Sequence, residues 1–237
     1  MKTQQPAIGN RLLRLLPELD FNIIAQHLEH VKLPSGFAIA EKGKTIRHAY
    51  FIGAGIGSIV AQSPEGQRAE VGLFGRDGWG PVSVLAKAEI HPHDVFMQVA
   101  GDGCRIDTTA LLEVLESSAA LRDMLIKYMQ TLSIQTSFTA LSNAVHQIDE
   151  RLARWLLMCH DRIDGDEIPV THEFLSLMLA VRRPSVTTSL HVLEGNRFIR
   201  AQRGYITIRN RDALEVFAAD AYGRPEEEYR QLIGSMK

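Results

Sequence analysis

Two cysteines, Cys104 and Cys159, are all the thiol chemistry in 237 residues, and they lie far apart. They make neither a metal-binding doublet nor a framework of bridges, which excludes a disulfide-stapled secreted scaffold and points to a reducing compartment. They also exclude a cysteine-ligated iron–sulfur cluster, which takes more such ligands than the chain has. Long apolar runs are missing too: no stretch approaches the roughly eighteen apolar residues that suggest a membrane helix. The N-terminus Met1-Lys2-Thr3-Gln4-Gln5-Pro6 has no hydrophobic core of the signal-peptide kind. The expectation is a soluble, cytoplasmic protein with no membrane partner. Charge of one sign is scarce overall, with 26 Lys and Arg against 28 Asp and Glu and a net charge of −2. Any affinity for nucleic acid must therefore be local. No nucleophile elbow or other catalytic spacing occurs among the Ser, His and acidic residues, so the chain is not read as an enzyme. At this length it holds one large or two medium domains, each with its own core.

Glycine and proline are absent in a third way, by position. From Cys104 to Asp164 there is neither, and so long a run without breakers predicts helix. Thr109 to Glu116 makes a short helix, and Ser117 or Ser118 caps a longer one running to about Val145. The longer helix carries two apolar stripes: Leu121, Leu125, Tyr128 and Leu132, then Ile134, Phe138, Leu141, Val145 and Ile148. Their alternating steps of four and three are those of a helix–helix seam. One stripe covers the helix's own domain, and the second calls for another surface, for which a symmetric copy is the economical partner. Asp149 is a cap for the next helix, Glu150 to Cys159. This puts the domain boundary near His146 to Asp149, giving domains 1–148 and 149–237.

Before that run, Gly9 to Val31 has a helical pattern interrupted by Pro17, read as two short helices. From Lys32 to Ile106 short apolar runs alternate with breakers at Pro34-Ser35-Gly36, Gly53-Ala54-Gly55, Ser63-Pro64-Glu65-Gly66 and Gly101-Asp102-Gly103. Strands at this spacing predict an antiparallel barrel or roll. Gly53-Ala54-Gly55-Ile56-Gly57 runs from strand into strand rather than into a helix, so it is a turn-maker and not a dinucleotide fingerprint.

After the helical run, Thr171 to Ile208 reads as helix, tight turn, second helix and two-stranded wing. Phe174, Leu177, Met178 and Val181 keep the i, i+3, i+4, i+7 spacing of an amphipathic helix, with Thr171 as its cap. In the next helix Val186, Leu190 and Leu193 form the inner stripe, Pro184 suits the first turn and Gly195 the end. Ser185, Thr188 and His191 then point outward beyond Arg182 and Arg183. Phe198-Ile199-Arg200-Ala201 and Tyr205-Ile206-Thr207-Ile208 flank Gln202-Arg203-Gly204 as a hairpin. From Arg182 to Arg211 seven arginines stand against one acid, Glu194, whereas residues 1–150 hold 13 basic and 16 acidic residues. A local excess of this kind attracts phosphates.

A β-roll, a long helix and a winged helix-turn-helix, in that order, resemble the Crp/Fnr superfamily of bacterial transcription regulators. The most specific part is Val170-Thr171-His172-Glu173-Phe174-Leu175 followed by Val181-Arg182-Arg183-Pro184-Ser185-Val186. The resemblance implies an α+β fold, a homodimer joined by the long helix, double-stranded DNA with a pseudo-palindromic operator, and RNA polymerase as a further partner. It implies DNA contacts at Arg182, Arg183, Ser185, Thr188, His191 and Arg203. Arg183 is the choice for base reading, because a guanidinium donates twice to guanine O6 and N7. Arg182 and Arg203 serve the backbone. Cyclic-AMP-binding members hold the ribose and phosphate with a Gly-Glu-Leu stretch and a later Arg-Ser pair. The corresponding stretches here look like Gly80-Pro81-Val82 and Pro92-His93, without the carboxylate or the guanidinium. Cyclic AMP is therefore not the expected ligand, no cofactor is assigned, and the small-molecule effector is left unidentified.

Arg68, Glu70, Arg76 and Trp79 flank the presumed effector pocket and suit an anionic or aromatic effector, or equally are surface residues. His91-Pro92-His93-Asp94 reads as a solvated loop, and no metal is assigned. A second reading of the whole chain is a small-molecule-binding module whose helix-turn-helix makes protein contacts.

Overall fold

In the computed structural model, which describes residue 5 and residues 8–236, the chain starts with two short helices, α1 (Arg11–Arg14) and α2 (Glu18–Ala25). Apart from Gln5, the signal-peptide reading of Met1 to Pro6 falls outside the described residues. Asn10 caps α1 and Pro17 precedes α2. The helical pattern stops sooner than expected: Glu29–Leu33 is already strand β1, paired with the far end of the roll.

The roll continues with β2 (Ala38–Ala40), β3 (His48–Gln62), β4 (Arg68–Phe74), β5 (Trp79–Gly80) and β6 (Asp94–Asp107), all antiparallel. Its central path is β1-β6-β3-β4, with β2 added to β6 and β5 to β3. Two of the expected breakers do not break anything. Gly53-Ala54-Gly55 lies inside β3 and Gly101-Asp102-Gly103 inside β6, where the register shifts between Ile52, Ala54 and Ile56. These are bulges that let two long strands bend together. Glycine is required there: a Cβ on Gly101 would stand 1.9 Å from the Ala54 carbonyl oxygen, and Gly55 has φ of +87°.

The helical run divides as expected into α3 (Thr108–Ser117) and α4 (Ala119–Val145), with Ser118 accepting from the Leu121 N–H as the cap of α4. Leu121, Leu125, Tyr128 and Leu132 are buried against the roll. Beside them Gln135 clamps β4, accepting from Leu73 N at 2.8 Å and donating to Leu73 O at 3.1 Å. The other side of α4 exposes Ile126, Met129, Leu141 and Val145.

The chain breaks at His146 and resumes as α5 (Ile148–His160). Its cap is Gln147, in a reciprocal box with Glu150, rather than Asp149, which falls within the first turn. Then follow β7 (Glu167–Pro169), α6 (His172–Leu179), α7 (Arg183–Gly195), β8 (Ile199–Gln202), β9 (Tyr205–Ile208), α8 (Arg211–Ala218) and α9 (Arg224–Leu232). The wing has three strands, β7-β9-β8, not two, because Glu167–Pro169 pairs with Thr207–Tyr205.

Two apolar clusters result. The first joins the roll to α1 through α4, and it includes Tyr229 of α9 and Met236. The second joins Leu152, Trp155, Leu156, Val186, Leu190 and Leu193 to Ile56, Val60, Leu73 and Val99 of the roll. The C-terminal unit is thus docked on the roll. Among the described residues no helix is long and apolar enough to cross a membrane.

Candidate nucleic-acid interface

The α6–α7 turn is built from local signals. Thr171 accepts from Phe174 N at 3.2 Å to start α6, and Ala180, in the left-handed conformation with φ of 51°, ends it. Val181 N donates to Ser176 O at 3.1 Å, and Ser176 Oγ donates back to Val181 O. Arg182 then caps α7 and Pro184 occupies its first turn, where a missing N–H costs nothing. Val186, Ser189, Leu190 and Leu193 form the buried face. This places Arg182, Arg183, Thr188 and His191 in solvent and leaves Ser185 half-buried.

Arg203 lies in the turn between β8 and β9, beside Gly204 with φ of +90°, and is exposed. Arg197, Arg200 and Arg209 are exposed as well. None of these six arginines has an ion-pair partner among the described residues. The seventh differs: Arg211 donates to Asp161 and Glu215 at 2.7 Å each and to the Tyr222 hydroxyl at 2.7 Å. It is structural. The one acid of the segment is also occupied, since Glu194 accepts the wing's Ala201 N–H at 3.0 Å. A positive surface with its own acid turned inward is suited to phosphate. Thr188 Oγ donates to Pro184 O at 3.1 Å, which leaves its lone pairs for an outside partner.

The four residues assigned to an effector pocket occupy three different settings. Trp79 is fully buried and stacks on Phe51 with ring centroids 5.9 Å apart, filling the roll beside Gly80-Pro81-Val82. Arg68 pairs with Asp94 at 3.6 Å at the sheet's margin. Glu70 and Arg76 face the C-terminal unit. Glu70 accepts from Trp155 Nε1 at 2.8 Å, while Arg76 pairs with Asp164 at 2.8 Å and donates to Arg162 O at 3.3 Å. His91 Nδ1 contacts the His93 carbonyl at 2.7 Å, within its own loop. Among the described residues no group of three or more His, Cys, Asp or Glu side chains is placed to hold a metal.

What sequence reading missed is the junction. Arg162, at the end of α5, is buried and pairs with Asp77 of the β4–β5 turn at 2.8 Å. Gly75 N donates to Asp77 Oδ1 at 2.8 Å and Tyr229 Oη to Asp77 O at 2.8 Å. Nothing periodic marks these residues, because the partners come from three distant segments.

Residues 150–217 match the model of the Crp-like helix-turn-helix domain. Among curated proteins none matches the chain. Similar solved structures include FixK2 from Bradyrhizobium japonicum, with TM-score 0.68 and 13% identity over 81% of this chain and 98% of that one. The c-di-GMP-responsive global regulator CLP from Xanthomonas campestris gives 0.64 and 14%, over 81% and 99%. A transcriptional regulator of the Crp/Fnr family from Eubacterium rectale gives 0.64 and 18%, over 89% and 98%. Of these, the Eubacterium rectale protein is named a transcriptional regulator and CLP a global regulator. The chain therefore carries a Crp-like helix-turn-helix domain on the fold of the Crp/Fnr transcription regulators.

Proposed function

We propose that the chain is a sequence-specific, homodimeric DNA-binding transcription regulator of domains 1–148 and 149–237. The observation that carries this reading is the matched helix-turn-helix with six exposed, unpaired arginines around it. Arg183, at the start of α7, reads bases, with Ser185, Thr188 and His191 beside it. Arg182 and Arg203 hold the phosphates.

The exposed apolar residues of α4 support a seam with a second copy, which sets the two recognition helices about one turn of DNA apart. RNA polymerase is the further partner implied by the family resemblance, and a DNA partner places the chain in the cytoplasm. Selection of bound duplexes from a random pool tests the reading. An enriched pseudo-palindrome is expected, and a pool that stays random contradicts it.

The alternative, a module using its helix-turn-helix for protein contacts, gains no specific support from a surface so rich in unpaired arginine. Salt separates the two, because phosphate contacts weaken steeply as ions are added.

A further inference from the structure

Glu70 sits where the roll meets the C-terminal unit. Its residue is only 6% exposed. One carboxyl oxygen, Oε1, accepts the Trp155 indole N–H at 2.8 Å, and the other, Oε2, is buried without a partner. The elements around it supply few charges. From α5 comes Arg154 and from just past its end Arg162, with the Cys159 thiol nearby. Arg162 is spent on Asp77, and Arg154 donates to Thr139 Oγ1 at 3.2 Å. Arg151 of α5 lines the same small cleft, joined by Thr139, Ser142 and Asn143 of α4 and Met178 and Leu179 of α6, none of them ionic. From β3, Ser58 lies against the carboxyl, but its one proton goes to Gln98 Oε1 at 2.8 Å. A neutral carboxylic acid can donate to such a neighbour, and a carboxylate cannot.

We propose that Glu70 is a proton-operated latch between the roll and the DNA-reading unit: neutral, it is sealed under α5, and on losing its proton it favours separation of β4 from α5. The regulatory meaning rests on the DNA-binding role proposed above, whereas the latch itself does not. Burial pushes the carboxyl up to about 7, against the pull of the Ser58 hydroxyl, of the Trp155 N–H and of the charges of Arg154 and Arg162. An exposed glutamate titrates at its ordinary value of 4.5. Between these two values the sealed state holds a proton that the open state has lost. Sealing is thus strongest below 4.5, weakens as pH rises to about 7, and is level above it. The open fraction changes by on the order of a hundredfold across that interval.

Native-state amide exchange of the full chain, corrected for intrinsic rates, reads the opening of β4 and α5 between about pH 5 and 8. The opening is expected to rise by on the order of a hundredfold in the wild type and to stay flat in Glu70→Gln. Trp155→Phe, which removes the donor to the ionised form, shifts the rise to higher pH. A wild type whose opening ignores pH, or a Glu70→Gln chain that follows the wild-type curve, overturns the proposal. Infrared difference spectroscopy of the wild type gives an independent reading: a buried carboxyl band lost around pH 7 supports the latch, and one lost near the ordinary value of 4.5 overturns it. Neither readout contains DNA, so failure of the latch and failure of the DNA-binding reading are seen separately.

Discussion

Asp77 and Arg162 face each other at 2.8 Å with each side chain only 2% exposed, joining a turn of the roll to the end of α5. A buried pair is weak evidence of net stability but is sensitive to losing one member, because the survivor is left charged and unsolvated. Asp77→Ala is expected to cost about 3–5 kcal/mol in urea unfolding, and the double change Asp77→Leu with Arg162→Met to recover much of it. The exposed Lys44–Glu41 pair provides the contrast, and its removal should leave the midpoint where it is. A single substitution at Asp77 that is equally silent would show that the junction is not held this way.

The cysteines yield a second expectation. Burial, helped by the charge of Asp102, pushes the Cys104 thiol up to about 11, and burial also raises Cys159. The thiolate is the reactive species, so the native chain at about pH 8 should resist alkylation at both positions until it unfolds. Mass spectrometry of labelling with and without denaturant checks this. Equal native and denatured rates would contradict the burial.

Much of this architecture was legible in the sequence because it rests on local periodicity. The missing Gly and Pro between Cys104 and Asp164 foretold α3, α4 and α5, and Val186, Leu190 and Leu193 gave the buried face of α7. Reading failed where a residue's local meaning is overridden by a distant neighbour. Gly53 and Gly101 look like turns but serve bulges, because strands β3 and β6 approach closely over their whole length. Arg211 counted as part of the basic surface until Asp161, Glu215 and Tyr222 drew it inward. Glu70 and Arg76 gave no sign of their partners Trp155 and Asp164, which come from a segment far along the chain. Pairs such as Asp77 with Arg162 leave no pattern within either segment.

The outer face of α4 gives a third prediction. Leu141 and Val145 are 48% and 60% exposed near its end, an unusual place for large apolar side chains without a partner. Leu141→Glu with Val145→Glu should shift sedimentation from dimer to monomer while leaving the single-chain fold intact by circular dichroism. A wild-type chain that sediments as a monomer at micromolar concentration would contradict the seam.

Affinity for the enriched duplex and for a scrambled one, followed over a range of salt, decides whether α7 and the wing read DNA. A clear preference for the enriched duplex and an affinity that falls steeply with salt are expected. Arg203→Ala should weaken both duplexes alike and reduce the salt slope by about one per subunit, whereas Arg183→Ala should cost about 1 to 3 kcal/mol and erase much of the preference. Equal affinity for both duplexes in the wild type and in Arg183→Ala, with little response to salt, would contradict it.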